Sequence, residues 1–120
     1  MSICTDVVSL KIMAHIYQRH DSHTVFKKMV KSLAEDVPYI DWAGIYLYEN
    51  SELKLVAASD DENDLKWECN GELKFPITNC LGEEIGIIIV RSLEAVAFDI
   101  NDVLTLEDVA KAIGEEIFTN

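Results

Sequence analysis

The sequence predicts one α+β domain, in which helices from both chain ends pack on the same face of an antiparallel sheet. Two patterns indicate this fold. Near both ends, apolar residues recur at three- and four-residue steps, which is typical of amphipathic helices. Between residues 41 and 91, short apolar segments alternate with polar turns, which is typical of β-strands. The 120 residues suffice for a single core, so residues 1–120 should form one domain.

Two helices are predicted before the sheet. The first covers about residues 3–17 and the second about residues 25–37, with the polar run 19–22 between them. Asp21 or Ser22 can cap the second helix. Pro38 disfavours helix in the residue before it, so this helix should end near Asp36.

Four strands should follow as two hairpins. The first strand has two largely apolar faces, so we expect it inside the sheet. Its faces alternate: Trp42, Gly44, Tyr46 and Tyr48 lie on one, and Ala43, Ile45 and Leu47 on the other. Residues 49–51 turn the chain into the second strand, 53–58.

The second hairpin joins strand 72–77 to strand 84–91 through the turn 78–82. The run 85–90 is rich in isoleucine and valine, which predicts a central strand covered on both faces. A last helix should begin at Asp99, whose carboxylate can cap the amide near Asp102, and continue to Ile117.

Composition limits the partners and the compartment. The 22 acidic and 10 basic residues give a net charge of −12, which repels nucleic acid and anionic lipid. The longest apolar run, 85–90, is far shorter than the roughly 20 residues that span a bilayer. The 3 cysteines, without a basic and apolar leader, indicate reduced thiols. We therefore expect a cytoplasmic protein that contacts neither nucleic acid nor membrane.

Three strings resemble those of GAF domains: Asp41-Trp42-Ala43-Gly44-Ile45-Tyr46-Leu47, Gly86-Ile87-Ile88-Ile89, and Phe98-Asp99 before the last helix. The resemblance covers about the whole chain. It implies a GAF/PAS-like, profilin-like sheet and a regulatory or sensor role, commonly in a dimer formed through terminal helices. A roadblock or longin-like platform has a similar mixture of elements, and strand order distinguishes the two.

The first string is most similar to free methionine-R-sulfoxide reductases, whose first strand carries a tryptophan and a tyrosine facing the substrate pocket. Trp42 and Tyr46 match that pair, and Glu72 matches a pocket glutamate. The resemblance thus implies that these residues descend from a pocket. Where the family has two acidic residues on the next strand, this chain has Ile89 and Arg91. Arg91 therefore reverses the pocket charge, and we expect it to pair with Glu72.

The same resemblance implies two features of the reductases that this chain lacks. A long segment closes their pocket and carries the redox cysteines, whereas only residues 59–70 join the two hairpins here. Cys69 falls where the family has serine or asparagine. Along a straight strand, Cys69 and Cys80 would lie up to roughly 35 Å apart, while a disulfide needs Cα atoms within about 7 Å. Cys4 has no evident reason to meet either. We therefore expect no catalytic residue and no cofactor.

Metal sites are also disfavoured. Asp60, Glu62 and Asp64 alternate like calcium ligands, but the loop has no glycine at its sixth position, and Gly71 stands where the twelfth-position glutamate belongs. The histidines do not share one helical face: His15, His20 and His23. We expect solvated turn residues and no metal.

The aromatic face is the candidate binding surface. With the helices on the other face, only the short connection 59–70 remains to cover it, so it should be open. We rank a homodimer or partner-protein contact first, a shallow small-molecule site second and coverage by the chain itself third. The predicted function is a non-catalytic regulatory or interaction module; a metabolite sensor and a sulfoxide reductase are the alternatives. The candidate residues are Trp42, Tyr46, Tyr48, Glu72 and Arg91, with Trp67 as a possible addition.

Overall fold

The computed structural model describes residues 11–12, 14, 22–37, 39–79, 81–95 and 100–117. Two helices and four strands follow one another: α1 (Ser22–Asp36), β1 (Trp42–Glu49), β2 (Glu52–Ala58), β3 (Gly71–Thr78), β4 (Glu84–Ser92) and α2 (Ile100–Ile117). None of the described helices is long and apolar enough to cross a membrane.

The predicted elements are confirmed wherever the structure describes them. No strand begins or ends more than one residue from its predicted position, and α1 ends at Asp36 as expected. Of the first predicted helix, Lys11, Ile12 and Ala14 are described, and all three are helical. The rest of that helix and the predicted caps Asp21 and Asp99 lie outside the described residues.

The strands form one antiparallel sheet in the order β2-β1-β4-β3. β1 and β4 are therefore central, as their two apolar faces predict. Trp42 of β1 lies opposite Arg91 of β4, which in turn lies opposite Glu72 of β3. Because residues opposite each other point to the same side of a sheet, these three side chains form one row across three strands.

The main core lies between the helices and the inner face of the sheet. It buries Ile12 and one side of α1 and α2 against Ala43, Ile45 and their neighbours on β3 and β4. α1 packs mainly on β1 and β2, and α2 mainly on β3. The prediction that helices from both ends of the chain share one face is thus confirmed, and the Trp42 side of the sheet is left to the 59–70 connection.

A buried polar pair fastens the start of α2 to the segment before β1. Tyr39 Oη donates a hydrogen bond of 2.7 Å to Asp102 Oδ1, and both residues are buried. Asp102 lies in the first turn of α2, where a negative charge interacts favourably with the helix dipole. The pair satisfies two polar groups that would be costly to bury alone.

Candidate functional site

The outer face of the sheet is covered at its Trp42 end. Trp42 is fully buried, and Leu65 from the 59–70 connection packs against its cluster. The indole Nε1 donates a hydrogen bond of 3.0 Å to the carbonyl oxygen of Asp60. The expectation of an open aromatic face is therefore wrong at Trp42. Coverage by the chain itself, which we ranked last, is what the structure has there.

The Trp42 indole lies next to both Gly44 and Arg91. A Cβ atom at Gly44 would overlap the Trp42 ring, so glycine lets the ring lie flat along β1. The guanidinium carbon of Arg91 lies 4.7 Å from the ring centroid. This is the distance of a cation–π contact, which is stronger where water is excluded.

Arg91 is a buried cation with hydrogen-bond partners on β3 and in the 59–70 connection. The residue is only 4% exposed. Its Nε donates a hydrogen bond of 2.7 Å to Glu72 Oε2, and its Nη1 donates one of 2.8 Å to the carbonyl oxygen of Asp64. Asp64 Oδ2 lies 3.8 Å from Nη1. The predicted pairing of Arg91 with Glu72 is confirmed, and it removes the cost of a bare buried charge.

The cluster shifts the pKa values of Glu72, Tyr46 and Arg91 itself. Burial acts to raise the pKa of Glu72, but the hydrogen bond and charge of Arg91, with Lys74 nearby, bring this pKa below its usual 4.5. Burial raises the pKa of Tyr46 above its usual 10.0; Arg91 opposes the rise and Asp64 adds to it. Burial acts to lower the pKa of Arg91, yet Glu72 outweighs it and raises that pKa. At neutral pH the site is therefore a carboxylate, a neutral phenol and a guanidinium.

Four of the five predicted site residues come together: Trp42, Tyr46, Glu72 and Arg91. Tyr48 lies apart from them, near the hairpin end of β1. It is 44% exposed, and its hydroxyl donates a hydrogen bond of 2.9 Å to Glu84 Oε2, which raises the pKa of Tyr48. Trp67 is 87% exposed and does not join the aromatic cluster; Lys66 Nζ lies 5.3 Å from its ring centroid.

Sequence reasoning missed the contribution of the 59–70 connection. Asp60 Oδ1 accepts hydrogen bonds from the amides of Glu62 and Asn63, and Asn63 Oδ1 accepts one from the amide of Leu65. These Asx turns fold the acidic run compactly and bring Leu65 onto the Trp42 cluster. The available signal was Leu65 itself, a lone apolar residue in a polar run.

In the part of the chain that the structure describes, no group of three or more histidine, cysteine, aspartate or glutamate residues could hold a metal ion. Asp60 and Asp64, weighed above as calcium ligands, each accept a backbone hydrogen bond in a turn. Their carboxylates are therefore used locally.

Cys69 is a half-buried free thiol in the turn before β3, and not on the strand as expected. Its Sγ lies 3.8 Å from the carbonyl oxygen of Lys66. It lines a groove of about 310 Å³ together with Lys66, Trp67, Asn70, Gly71, Glu72, Lys74 and Arg91. Cys4 and Cys80 lie outside the described residues, so the absence of a disulfide between the cysteines stays a prediction.

Comparison with known proteins gives the fold. No family model and no curated protein matches the chain. Among solved structures, it is similar to the substrate complex of free methionine-R-sulfoxide reductase from Neisseria meningitidis, with a TM-score of 0.79, 18% identity and coverage of 94% of this chain and 87% of that one. The corresponding reductase of Staphylococcus aureus, also with substrate, has a TM-score of 0.77, 19% identity and coverage of 92% and 93%.

A third similar structure is the GAF domain of a phosphoenolpyruvate-protein phosphotransferase from Coxiella burnetii. Its TM-score is 0.78 at 16% identity, and the match covers 98% of this chain and 94% of that one. Enzymes and a domain of a larger protein thus share this arrangement of a sheet with helices on one face. The chain has the GAF fold.

Proposed function

We propose that this chain is a non-catalytic regulatory module that acts through protein contacts, in a reducing cytoplasm. The observation that carries the proposal is the position of Arg91. Its guanidinium lies against Trp42 and is bonded to Glu72, two of the three residues that the resemblance to the reductases assigns to a substrate pocket. The guanidinium of Arg91 therefore fills the space beside Trp42 and Glu72 that a substrate would need.

A small molecule could take this position against Trp42 only by displacing the guanidinium. Moving the guanidinium away from Glu72 and from the Asp64 carbonyl would break two hydrogen bonds of a cation that is only 4% exposed. Losing a hydrogen bond to a charged group costs about 1.5 to 3 kcal/mol. That cost would be subtracted from the affinity of any ligand at this position.

The other half of the outer face supports contact with a protein. Tyr48, Leu53 and Leu55 are 44%, 44% and 46% exposed. Tyr48 lies opposite Leu53, and Tyr46 opposite Leu55, so these side chains are neighbours on one face of β1 and β2. We call Tyr48, Leu53 and Leu55 the open patch. Contiguous exposed apolar side chains of this kind mark interaction surfaces.

The test has a chemical arm and a contact arm. In the chemical arm, the native chain with free methionine sulfoxide and a dithiol reductant should give no turnover above that of the Cys69→Ser variant. In the contact arm, light scattering at micromolar concentrations should give a molecular mass above that of one chain. Turnover that is lost in Cys69→Ser would make the chain a reductase. A strict monomer that captures no partner would contradict the contact role.

A metabolite sensor is the second candidate, favoured by the groove of about 310 Å³ beside Trp67. Its volume is at the lower end of ligand pockets. Glu72 and Arg91 both line it, so a ligand in the groove would contact this pair and need not separate it. A metabolite that raises the melting temperature of the native chain but not of Trp67→Ala would establish this role, and a full panel without any shift would remove it.

A further inference from the structure

We propose that β2 pairs with β2 of a second copy of this chain, antiparallel and with Leu53 opposite Leu53, so that one continuous sheet runs through a homodimer. This inference rests on the proposed contact function and names its partner. Three features of the described residues lead to it: the difference between the two sheet edges, the open patch, and the alternation of charge along β2.

The two edges of the sheet are not equally able to pair. β2 and β3 are the outer strands, and no described strand pairs with the outer side of either. β3 carries Pro76 within the strand. Proline has no N–H group to donate to a ladder and is one of the devices that protect sheet edges. β2 has no proline, so its outward N–H and C=O groups can form a complete ladder.

The open patch reaches the β2 edge. Leu53 and Leu55 belong to this outer strand and are about half exposed. Pairing of two β2 edges with Leu53 at the centre would bring the two Leu53 side chains together, each flanked by Tyr48 of its own chain. Apolar cross-strand pairs of this kind stabilise a sheet.

Charge selects the register. Glu52 and Lys54 flank Leu53 and point to the other side of the sheet. With Leu53 opposite Leu53, Glu52 of each copy lies opposite Lys54 of the other, which gives two attractive pairs. A centre at Lys54 would place lysine opposite lysine, and a centre at Glu52 would place glutamate opposite glutamate. Directly opposite like charges are destabilising, so the central position of Leu53 is favoured.

Lys54 also has a partner within its own chain, since its Nζ lies 3.4 Å from Glu52 Oε2. Both side chains are more than half exposed, so this pair is worth little and can exchange for the pairs across the dimer. A break in the β1–β2 register between Ile45 and Tyr46 limits the regular part of β2 to about Glu52–Leu55. The interface is therefore short, and we expect weak association.

Cross-linking tests the register. In a background with Cys4, Cys69 and Cys80 replaced by serine, Leu53→Cys should form a reducible dimer under mild oxidation. Opposite residues of antiparallel strands have Cα atoms about 4.5 to 5.5 Å apart, which a disulfide can bridge. Leu55→Cys is the matched control, because the two copies of residue 55 would lie about 13 Å apart, four residues along the strand. Equal cross-linking of both variants, or of Leu55→Cys alone, would overturn the register.

Charge exchange tests the contact itself. Glu52→Lys and Lys54→Glu should each weaken self-association about tenfold, since each replaces two attractive pairs by two repulsive ones. Mixing the two variants should restore association, because a mixed dimer has opposite charges at both positions. Lys28→Glu, an exposed change on α1, should leave association unchanged. Sedimentation velocity compares these four samples with the native chain, and circular dichroism checks that each is folded.

The outcomes separate this inference from the proposed function. If the native chain and both β2 variants dimerise equally, the β2 contact is wrong and another surface carries the association. If the native chain is a monomer that captures no partner, both proposals fail. Weakened single variants together with a restored mixture support the β2 contact.

Discussion

The Arg91 side chain is buried and paired with Glu72. On a surface, its pair with Glu72 would contribute little, because solvent screens exposed charges. Here the guanidinium is buried against Trp42, where water cannot replace its hydrogen-bond partners. Its hydrogen bonds to the Glu72 carboxylate and the Asp64 carbonyl therefore matter for the stability of the fold.

Replacing Glu72 by glutamine should lower the free energy of unfolding at neutral pH by about 1.5 to 3 kcal/mol, since Arg91 loses a charged hydrogen-bond acceptor. The pKa of Glu72 is lower in the folded chain than its usual 4.5. Its contribution is thus fully present above pH 4.5 and is lost as the pH falls through the folded value. Urea unfolding at pH 7 and at several acidic values measures the difference.

The matched control is Glu35→Gln on the exposed side of α1, which should change stability by less than about 0.5 kcal/mol. The native chain and Glu72→Gln should become equally stable in strong acid. A difference between them that stays constant from neutral to acidic pH would mean that the Glu72 charge does not stabilise the fold.

The two tryptophans should respond in opposite ways to truncation. Trp42→Ala removes a fully buried ring and should cost about 3 to 5 kcal/mol of stability. Trp67→Ala removes a ring that is 87% exposed and should cost less than about 0.5 kcal/mol. Thermal unfolding of both variants is the measurement. Similar melting temperatures for the two would show that the 59–70 connection does not cover Trp42 in solution.

The resemblance to the reductases led to the prediction of the Arg91–Glu72 pair, and neither it nor local pattern predicted the cover over Trp42. The pair follows from two strands joined by a short turn, which places residues 72 and 91 opposite each other. The cover depends on side-chain-to-amide bonds of Asp60 and Asn63 and on the left-handed backbone of Leu65, with φ 56°. None of these leaves a periodic signal, so the acidic run suggested only a solvated loop.

At the scale of elements, the contact between α2 and β3 requires a residue without a side chain. A Cβ atom at Gly114 of α2 would overlap the backbone carbonyl of Thr78 at the end of β3. Gly114 is buried at this close approach. The helix can therefore lie directly on the strand only because glycine occupies this position.

Gly114→Ala sets two effects against each other. Alanine favours a helix by about 1 kcal/mol over glycine, whereas forcing an extra methyl group into a packed contact costs about 1 to 3 kcal/mol. The overlap is with backbone, which cannot move aside cheaply, so we expect net destabilisation. Urea unfolding decides, with the exposed Lys111→Ala in the same helix as control. A variant as stable as the native chain would show that the helix shifts freely on β3.

The strands and helices were predictable because each has a clear period. The isoleucine-rich run of β4 predicted a central strand, and the sheet order confirms it. The single apolar stripes of the helices required one shared face of the sheet, which the main core confirms. The length of the 59–70 connection was misleading, since a dozen residues folded into Asx turns suffice to bury one indole.

For the whole molecule, charge and shape act in opposite directions on association. A net charge of −12 keeps copies apart at long range. The self-association that we propose therefore depends on short-range contacts, for which the described surface offers the open patch and the alternating charges of β2. Such a balance suits reversible contact at moderate concentration.

Pro76 in β3 limits the proposed assembly to two copies of the chain. A filament grows only if every added copy presents another strand edge that can pair, as in amyloid. Once two β2 edges have paired, the edge strand at each end of the joined sheet is β3, which Pro76 interrupts. A third copy therefore cannot extend the hydrogen-bond ladder. At high concentration this protein should therefore form discrete dimers and not fibrils.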